Sequence, residues 1–208
     1  MPESTDIFLS VVIPSYNEAD RISKTLQSIS NYLTGKHFSY EVLVVDDGST
    51  DNTMEVAREY LKDLSGLRVL SNGKNRGKGY SVRHGMLEAR GEYRLFMDAD
   101  NSVDISHFDA FLPEIQKGFD VAIGSIEIGG TSVKEGAGFH RRVLRSVSKL
   151  PIRMLIPGIR DTQRGFKLFR GNAAEIIFSH QTIDRFGFDM ELLVIARRQK
   201  LAVKELPV

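Results

Sequence analysis

Residues 94–102, RLFMDADNS, place an apolar run directly before two aspartates that are separated by one residue. Leu95–Met97 predicts a short buried strand, and Asp98 and Asp100 follow at its end. Because residues i and i+2 of an extended chain point to the same side, we expect both carboxylates to face one spot. Mg²⁺ and Mn²⁺ prefer such hard oxygen ligands, so both aspartates are candidate metal ligands. The alternative is that one aspartate caps a helix and the other is solvated.

Strand and helix patterns alternate on both sides of this stretch. The predicted strands are Phe8–Ile13, Tyr40–Val45, Leu67–Leu70, Tyr93–Met97 and Phe119–Gly124. The predicted helices are Glu18–Leu33, Thr53–Leu64, Lys78–Arg90 and His107–Lys117. This order is typical of an α/β fold with a mostly parallel central sheet and helices on both faces. A length of 208 residues favours a single domain, residues 1–208.

Composition excludes several classes of function. The chain has no cysteine, which excludes a disulfide scaffold, a thiolate metal site and cysteine catalysis, and fits a reducing compartment. The five histidines lack the spacing of zinc ligands. The first ten residues do not resemble a secretory signal, and no apolar run approaches the roughly 18 residues that cross a bilayer. We therefore expect a soluble, cytoplasmic chain.

Polar residues also follow the first two predicted strands, in the stretches PSYNEAD and VVDDGSTD. The ring of Tyr16 can stack on a nucleobase, and polar side chains can bond a base or a ribose. The polar candidates are Asn17, Glu18, Asp46 and Asp47. Lys78, at a predicted helix start in NGKNRGKGYS, is a candidate phosphate ligand. The alternative is that these residues only build turns and caps, which would fully explain Ser49 and Asp51.

The net charge of +1 conceals a basic segment between His140 and Arg170, where nine lysines and arginines face one acid, Asp161. This imbalance predicts an anionic partner, either phosphate or an anionic membrane surface. The alternative is a solvated amphipathic helix. Nucleic acid is a poor candidate because the charge is confined to one segment without interleaved aromatic residues.

Together, PSYNE, VVDDGSTD, N-x-G-K-G and D-A-D resemble family-2 glycosyltransferases of the GT-A (Rossmann-like) fold. The later stretches RDTQRGFKLF, FDMELL and KELPV resemble the dolichyl-phosphate glucose and mannose synthase branch, and DTQ-x-GFKLF is nearest the glucose side. The resemblance implies a nucleotide-sugar half at about residues 1–125 and an acceptor and interfacial half at about 126–208. It adds Pro14 and Asp98 to the nucleotide-sugar residues.

The resemblance implies an inverting transferase that moves a hexose from a nucleotide-sugar to a polyprenyl phosphate with Mg²⁺ or Mn²⁺. Glucose from UDP-glucose is the expected donor pair, and GDP-mannose is the alternative. The implied catalytic residues are Asp98, Asp100, Arg141 and Lys167. The implied acceptor-phosphate residues are Ser125, Arg141, Arg142, Arg145, Gln163 and Lys167. Such a chain would bind the cytoplasmic face of a membrane peripherally, which co-sedimentation with anionic vesicles would test.

The chain departs from these relatives in two places. Gly124–Ser125 is followed by Ile126, where relatives usually have arginine, and relatives usually continue beyond Val208, sometimes into membrane helices. A family-2 enzyme with a hydroxyl acceptor is a second hypothesis, in which Asp189 or Glu191 is the catalytic base. Alternatively, these two acids orient Lys167, position the sugar or begin a helix. A third hypothesis is a catalytically silent binding domain. We expect Phe186 and Phe188 to lie in the core.

Overall fold

The computed structural model describes residues 7–128 and 158–208. These residues form one seven-stranded sheet with helices packed on it. The strands are β1 (Leu9–Ser15), β2 (Tyr40–Asp46), β3 (Leu67–Ser71), β4 (Tyr93–Met97), β5 (Val121–Ser125), β6 (Phe166–Arg170) and β7 (Val203–Pro207). The helices of the described residues are α1 (Ala19–Leu33), α2 (Thr53–Glu59), α3 (Lys78–Glu88), α4 (Phe108–Gln116), α5 (Gly171–His180) and α6 (Phe188–Arg198). Short 3₁₀ turns follow α2 (Tyr60–Lys62) and precede α4 (Ile105–His107).

The strand order is β3-β2-β1-β4-β6-β5-β7, and β6 alone among these strands runs antiparallel to its neighbours. The prediction of a mostly parallel sheet is therefore confirmed. β6 belongs to the second half of the chain and lies between β4 and β5, so both halves share one sheet. The carboxyl ends of β1, β2 and β4 meet at one edge, where α/β proteins commonly bind ligands.

Apolar residues of the strands alternate between two hydrophobic layers. On β1, Val11 and Ile13 pack in the layer that includes α1 and α4, whereas Val12 packs in the layer that includes α3, α5 and α6. A strand directs successive side chains to opposite faces, so a fully buried strand needs apolar residues at almost every position. Helices thus cover both faces of the sheet, as the sequence predicted.

Some element boundaries differ from the predictions. The first strand was predicted to end at Ile13, before Pro14, but β1 continues through Pro14 to Ser15. Pairing with β4 stops at Val12, and Pro14 is paired only with Val45 of β2. Proline is tolerated where no ladder hydrogen bond needs its missing N–H. The helix predicted over Thr53–Leu64 is α-helical only to Glu59 and then tightens into the 3₁₀ turn. Helices often end in such a turn.

Candidate active site

A cleft of about 410 Å³ opens at the edge where β1, β2 and β4 end. Most of the residues that the sequence singled out for the donor and the metal line it. They are Pro14, Tyr16, Glu18, Asp47, Lys78, Asp98 and Asp100. The cleft is also lined by Ser15, Asn75, Gly77, Ser81, Ala99, Arg185 and Phe186. Segments distant in sequence therefore converge on one concave site, the usual form of a small-molecule site.

The loop after β1 is locked to the loop after β2. The Asn17 backbone N–H donates to Ser49 Oγ at 3.0 Å, and the Thr50 N–H donates to Asn17 Oδ1 at 2.9 Å. Asn17 has a φ of 53°, a left-handed conformation that asparagine tolerates better than most residues. Asn17 does not line the cleft. Its contacts hold the neighbouring Tyr16 and Glu18 in place, and its predicted contact with the nucleotide stays a prediction.

The two aspartates at the end of β2 make different contacts. Asp46 accepts hydrogen bonds from the backbone N–H groups of Gly48 and Ser49, a local turn, and it does not line the cleft. Asp47 is buried at the cleft wall and accepts from the N–H groups of Arg76 (2.9 Å) and Gly77 (2.7 Å). Asp47 thereby fixes the start of α3 beside the cleft. Nucleotide binding by either carboxylate stays a prediction.

Asp98 is positioned by a glycine from the second half of the chain. Its backbone N–H donates to the Gly165 carbonyl at 3.0 Å, and a Cβ on Gly165 would lie closer than 3.0 Å to the Asp98 carboxyl carbon and both its oxygens. Asp98 Oδ1 is buried and lies 2.6 Å from Lys78 Nζ. This ion pair lacks hydrogen-bond geometry, so no group of the described residues donates a hydrogen bond to that oxygen. Asp98 Oδ1 thus already faces one positive charge, the Lys78 ammonium, in a position that favours a cation.

Asp98 and Asp100 come together through a turn. β4 ends at Met97, so the two-residue period of a strand, on which the prediction rested, does not extend to Asp100. The hydroxyl of Thr25 on α1 donates to the Ala99 carbonyl at 2.5 Å, and the Ser102 N–H donates to Asp100 Oδ1 at 2.9 Å. These bonds shape the turn that presents both carboxylates to the cleft.

A third carboxylate, Glu18, lies near this pair. Burial raises the pKa of Glu18; Arg21, whose Nε is 2.6 Å from Glu18 Oε2, acts in the opposite direction, and the charges of Asp100 and Asp98 raise this pKa further. The cleft thus concentrates negative charge, which a bound cation would offset.

The residues fit a divalent metal that shares its coordination with a ligand. Within residues 7–128 and 158–208, no three acidic or histidine side chains converge as a closed metal site. Mg²⁺ characteristically binds one or two carboxylates together with substrate phosphates. Asp98 and Asp100 match this mode, because both carboxylates line the cleft and Asp98 already pairs with a cationic side chain, Lys78. Metal binding by this pair stays a proposal.

Lys167 is buried and does not line the cleft. Its side chain is 1% exposed, and Nζ donates to Asp189 Oδ1 at 2.5 Å and to the Arg164 carbonyl at 2.6 Å. Asp189 therefore orients Lys167, one of the roles considered for it. Burial raises the pKa of Asp189, whereas the Lys167 and Lys78 charges lower it. Contact of Lys167 with an acceptor phosphate stays a prediction.

Glu191 accepts hydrogen bonds from Thr182 and Ile183 and so anchors the loop before α6. Two of the other acceptor candidates, Ser125 and Gln163, do not line the cleft. Ser125 is buried and its hydroxyl accepts from the Glu127 N–H, while Gln163 is exposed beside Asp161. Arg141, Arg142 and Arg145 lie outside the described residues. Their phosphate and membrane contacts stay predictions.

The expectation for Phe186 was wrong, whereas that for Phe188 is confirmed. Phe188 is buried at the start of α6, but Phe186 is 94% exposed at the mouth of the cleft. Hydrophobicity alone misled the prediction, because nothing local separates an apolar residue of an ordered loop from one at a helix start. Sequence reasoning also missed the site roles of Gly165 and Arg185. For Gly165 the sequence did offer a signal, because this glycine of DTQRGF lies between the predicted acceptor residues Gln163 and Lys167.

No helix in the described parts of the chain is long and apolar enough to span a membrane.

Comparison with known proteins identifies close relatives by sequence. A dolichyl-phosphate beta-glucosyltransferase of Trichomonas vaginalis is 37% identical over 99% of this chain and 66% of the relative. The human dolichyl-phosphate beta-glucosyltransferase is 37% identical over 96% of this chain and 66% of the relative. The chain thus spans slightly less than two thirds of the length of these relatives. The predicted resemblance to the glucose branch is confirmed.

Solved structures share the fold. Mannosyl-3-phosphoglycerate synthase from Rubrobacter xylanophilus matches with a TM-score of 0.73 and 19% identity, over 97% of this chain and 65% of that one. Glucosyl-3-phosphoglycerate synthase from Mycobacterium tuberculosis, in complex with Mn²⁺, UDP-glucose and phosphoglyceric acid, matches with a TM-score of 0.71 and 22% identity, over 97% and 69%. The predicted GT-A fold is confirmed by these glycosyltransferases.

The profile of glycosyl transferase family 2 matches residues 10–178, which contain all of the cleft residues except Arg185 and Phe186. By this match and by its sequence relatives, the chain belongs to glycosyl transferase family 2.

Proposed function

We propose that this chain is an inverting, divalent-metal-dependent glucosyltransferase that moves glucose from UDP-glucose to a polyprenyl phosphate such as dolichyl phosphate. The observation that carries the proposal is the convergence of the Asp98 and Asp100 carboxylates with Tyr16 and Lys78 on one cleft at the ends of the parallel strands. The sequence relatives named for dolichyl-phosphate glucosyl transfer support the acceptor and the sugar. The fold neighbour with UDP-glucose supports the donor.

The cleft residues divide the tasks of donor binding. Tyr16, 44% exposed at the cleft wall, offers a ring face to a nucleobase. Lys78, at the first turn of α3, adds a positive charge where the helix N-terminus already favours phosphate. Asp98 and Asp100 would hold the metal, which when bound supplies positive charge to the diphosphate of the donor and of the departing nucleotide.

The acceptor phosphate needs no strong base. Its second pKa is about 6, so one oxygen is largely ionised near neutral pH and can attack the anomeric carbon directly. The main barrier is electrostatic, because the anionic acceptor phosphate must approach the anionic diphosphate of the donor. Two unit charges about 4 Å apart repel by roughly 4 kcal/mol at an effective dielectric of 20. Arg185 lines the cleft and can offset part of this repulsion. Attack opposite the leaving diphosphate forms one bond as the other breaks, so an α-linked donor yields a β-linked product.

The placement of Asp189 favours the phosphate acceptor over a hydroxyl acceptor. A hydroxyl acceptor needs a base within hydrogen-bond reach. Asp189 is instead bonded to the buried Lys167 and does not line the cleft. An Asp189→Asn variant should therefore keep substantial activity if it remains folded. Loss of all turnover with donor binding intact would favour the hydroxyl acceptor.

A donor and acceptor screen tests the proposal. UDP-glucose and GDP-mannose are incubated with a short-chain polyprenyl phosphate and Mg²⁺ or Mn²⁺, and lipid-linked sugar is measured. We expect product from UDP-glucose, and kcat lower by about 100-fold or more in Asp98→Asn and Asp100→Asn, because charge stabilisation of the leaving group is lost. Asp109→Asn, which removes a carboxylate bonded to Tyr32 and Lys36 away from the cleft, is the matched control. Product from GDP-mannose alone would reassign the donor, and full activity in both cleft variants would refute the metal role.

A further inference from the structure

Phe186 is a solvent-exposed aromatic side chain at the mouth of the cleft. It is 94% exposed, although burying such a side chain is normally favourable. Among the large exposed hydrophobic residues of the described chain, only Tyr16 and Phe186 line the cleft, and Tyr16 carries a hydroxyl. This ring has no polar atom and lies beside the charged groups of the cleft, so it can contact an apolar part of a ligand whose charged part enters the cleft.

The loop that carries Phe186 is fixed at several points. The Gln181 side chain donates to the carbonyls of Gly79 and Ile183, both at 2.9 Å. The Tyr80 N–H donates to the Asp184 carbonyl at 2.9 Å, and Glu191 accepts three hydrogen bonds from Thr182 and Ile183. The exposure of Phe186 is therefore a property of an ordered loop, and the ring is available to a ligand without a large entropic cost.

The loop also packs directly on the donor side of the cleft. Gly77, with a φ of 109°, and Gly79 have no room for a Cβ, because the backbone of Asp184 lies within 3.0 Å of each such position. Arg185 therefore sits beside the start of α3 and lines the cleft with Phe186. A cation and an apolar ring on adjacent residues match a ligand in which a phosphate is joined to a hydrocarbon chain.

We infer that Arg185 and Phe186 form the acceptor subsite, in which Arg185 faces the acceptor phosphate and Phe186 contacts the isoprene units next to it. This inference rests on the proposed function, and it identifies Phe186 as a residue that determines specificity for the acceptor. The donor's charged and hydroxylated groups gain little from a phenyl ring in this position, whereas an isoprenoid carries only hydrocarbon beside its phosphate. Phe186 would thus select prenyl phosphates over small polar phosphates.

The test measures binding and turnover of farnesyl phosphate by Phe186→Ser, Phe186→Leu and the parent chain, with Mn²⁺ present. We expect Phe186→Ser to raise the dissociation constant and the KM for farnesyl phosphate about 10-fold, equivalent to about 1.4 kcal/mol. Phe186→Leu should restore most of the affinity, and the inhibition constant of UDP should not change. Leu61→Ser, at a half-exposed apolar position outside the cleft, is the matched control.

Each of the other outcomes would overturn either the acceptor subsite or the proposed function. Equal farnesyl phosphate binding by Phe186→Ser and the parent chain, or none by the parent chain, would overturn the inference. Weaker UDP binding in Phe186→Ser would also overturn it, since the ring would then serve the nucleotide or hold the loop. Farnesyl phosphate binding that depends on Phe186, without sugar transfer to it, would overturn the proposed function and leave the subsite standing.

Discussion

Gly165→Ala tests whether Asp98 is positioned by the close approach of a backbone that bears no side chain. The backbone of Gly165 does not have the positive φ that alanine avoids, so alanine can adopt its conformation. The obstacle is the Asp98 carboxyl group, whose three outer atoms would all lie closer than 3.0 Å to the new Cβ. The carboxylate must then rotate away from its present position.

The contacts of Asp98 give the expected size of the loss of stability and of the loss of rate in Gly165→Ala. Rotation of Asp98 costs roughly 0.5–1.5 kcal/mol if the side chain leaves its preferred rotamer. Loss of the partly exposed ion pair with Lys78 adds at most about 1 kcal/mol. We therefore expect a modest loss of stability. A misplacement of about 1 Å in a catalytic group can cost about 100-fold in rate, so we expect kcat to fall by that order.

The assay combines turnover, Mn²⁺ affinity and thermal unfolding of Gly165→Ala. Turnover and Mn²⁺ affinity should both fall, while the unfolding temperature changes by only a few degrees. Gly35→Ala is the control, because its Cβ would meet nothing within 4 Å and its φ of 89° makes the substitution strained. It should lower stability without lowering the rate of the folded enzyme. Parent-like turnover and Mn²⁺ affinity in Gly165→Ala would refute the positioning role.

Two further predictions concern ionised groups. Asp189→Asn should lower the free energy of unfolding by about 3 kcal/mol or more in urea, because Lys167 would keep a buried charge without its partner, and the apolar pair Lys167→Met with Asp189→Leu should recover most of it. Equal stability of the single and double variants would contradict this. Burial acts to raise the pKa of Asp104, but hydrogen bonds from Ser106 and Ser28 hold it below its ordinary value. Its stabilising effect is therefore present above about pH 3.9, the unfolded value, and is lost as pH falls through the depressed folded pKa. Asp104→Asn should be less stable than the parent at pH 7, and a stability gap that stayed constant in acid titration would contradict the assignment.

Local sequence patterns were enough for the first half of the fold. The apolar runs of β1, β2 and β4 predicted buried parallel strands, and the polar residues after them predicted a site at one sheet edge. This worked because strand ends, turns and amphipathic helices depend on residues close in sequence. β6 was not predicted, because its place between β4 and β5 depends on antiparallel pairing with strands distant in sequence.

The candidate site was predicted in its residue types but not in its contacts. Asp98, Asp100, Glu18 and Lys78 were identified because they are charged groups at strand and helix ends, where α/β proteins commonly bind ligands. The roles of Asp47 in fixing the start of α3 and of Gly165 in seating Asp98 were hidden, since both depend on segments that meet only after folding. Phe186 was misplaced for the same reason, because its exposure is decided by the bonds that anchor its loop.

The amino-acid sequence by itself determined the order of strands and helices up to β5, the family, and the acidic and basic groups available for chemistry. Only the tertiary structure decided which of those groups face the cleft and which form hydrogen bonds that anchor loops. It also decided that Lys167 is buried in an ion pair and that Phe186 is exposed to solvent. The physical reason is that propensity and hydrophobic pattern act over a few residues, whereas burial and charge pairing are set by neighbours that the chain brings together from far apart.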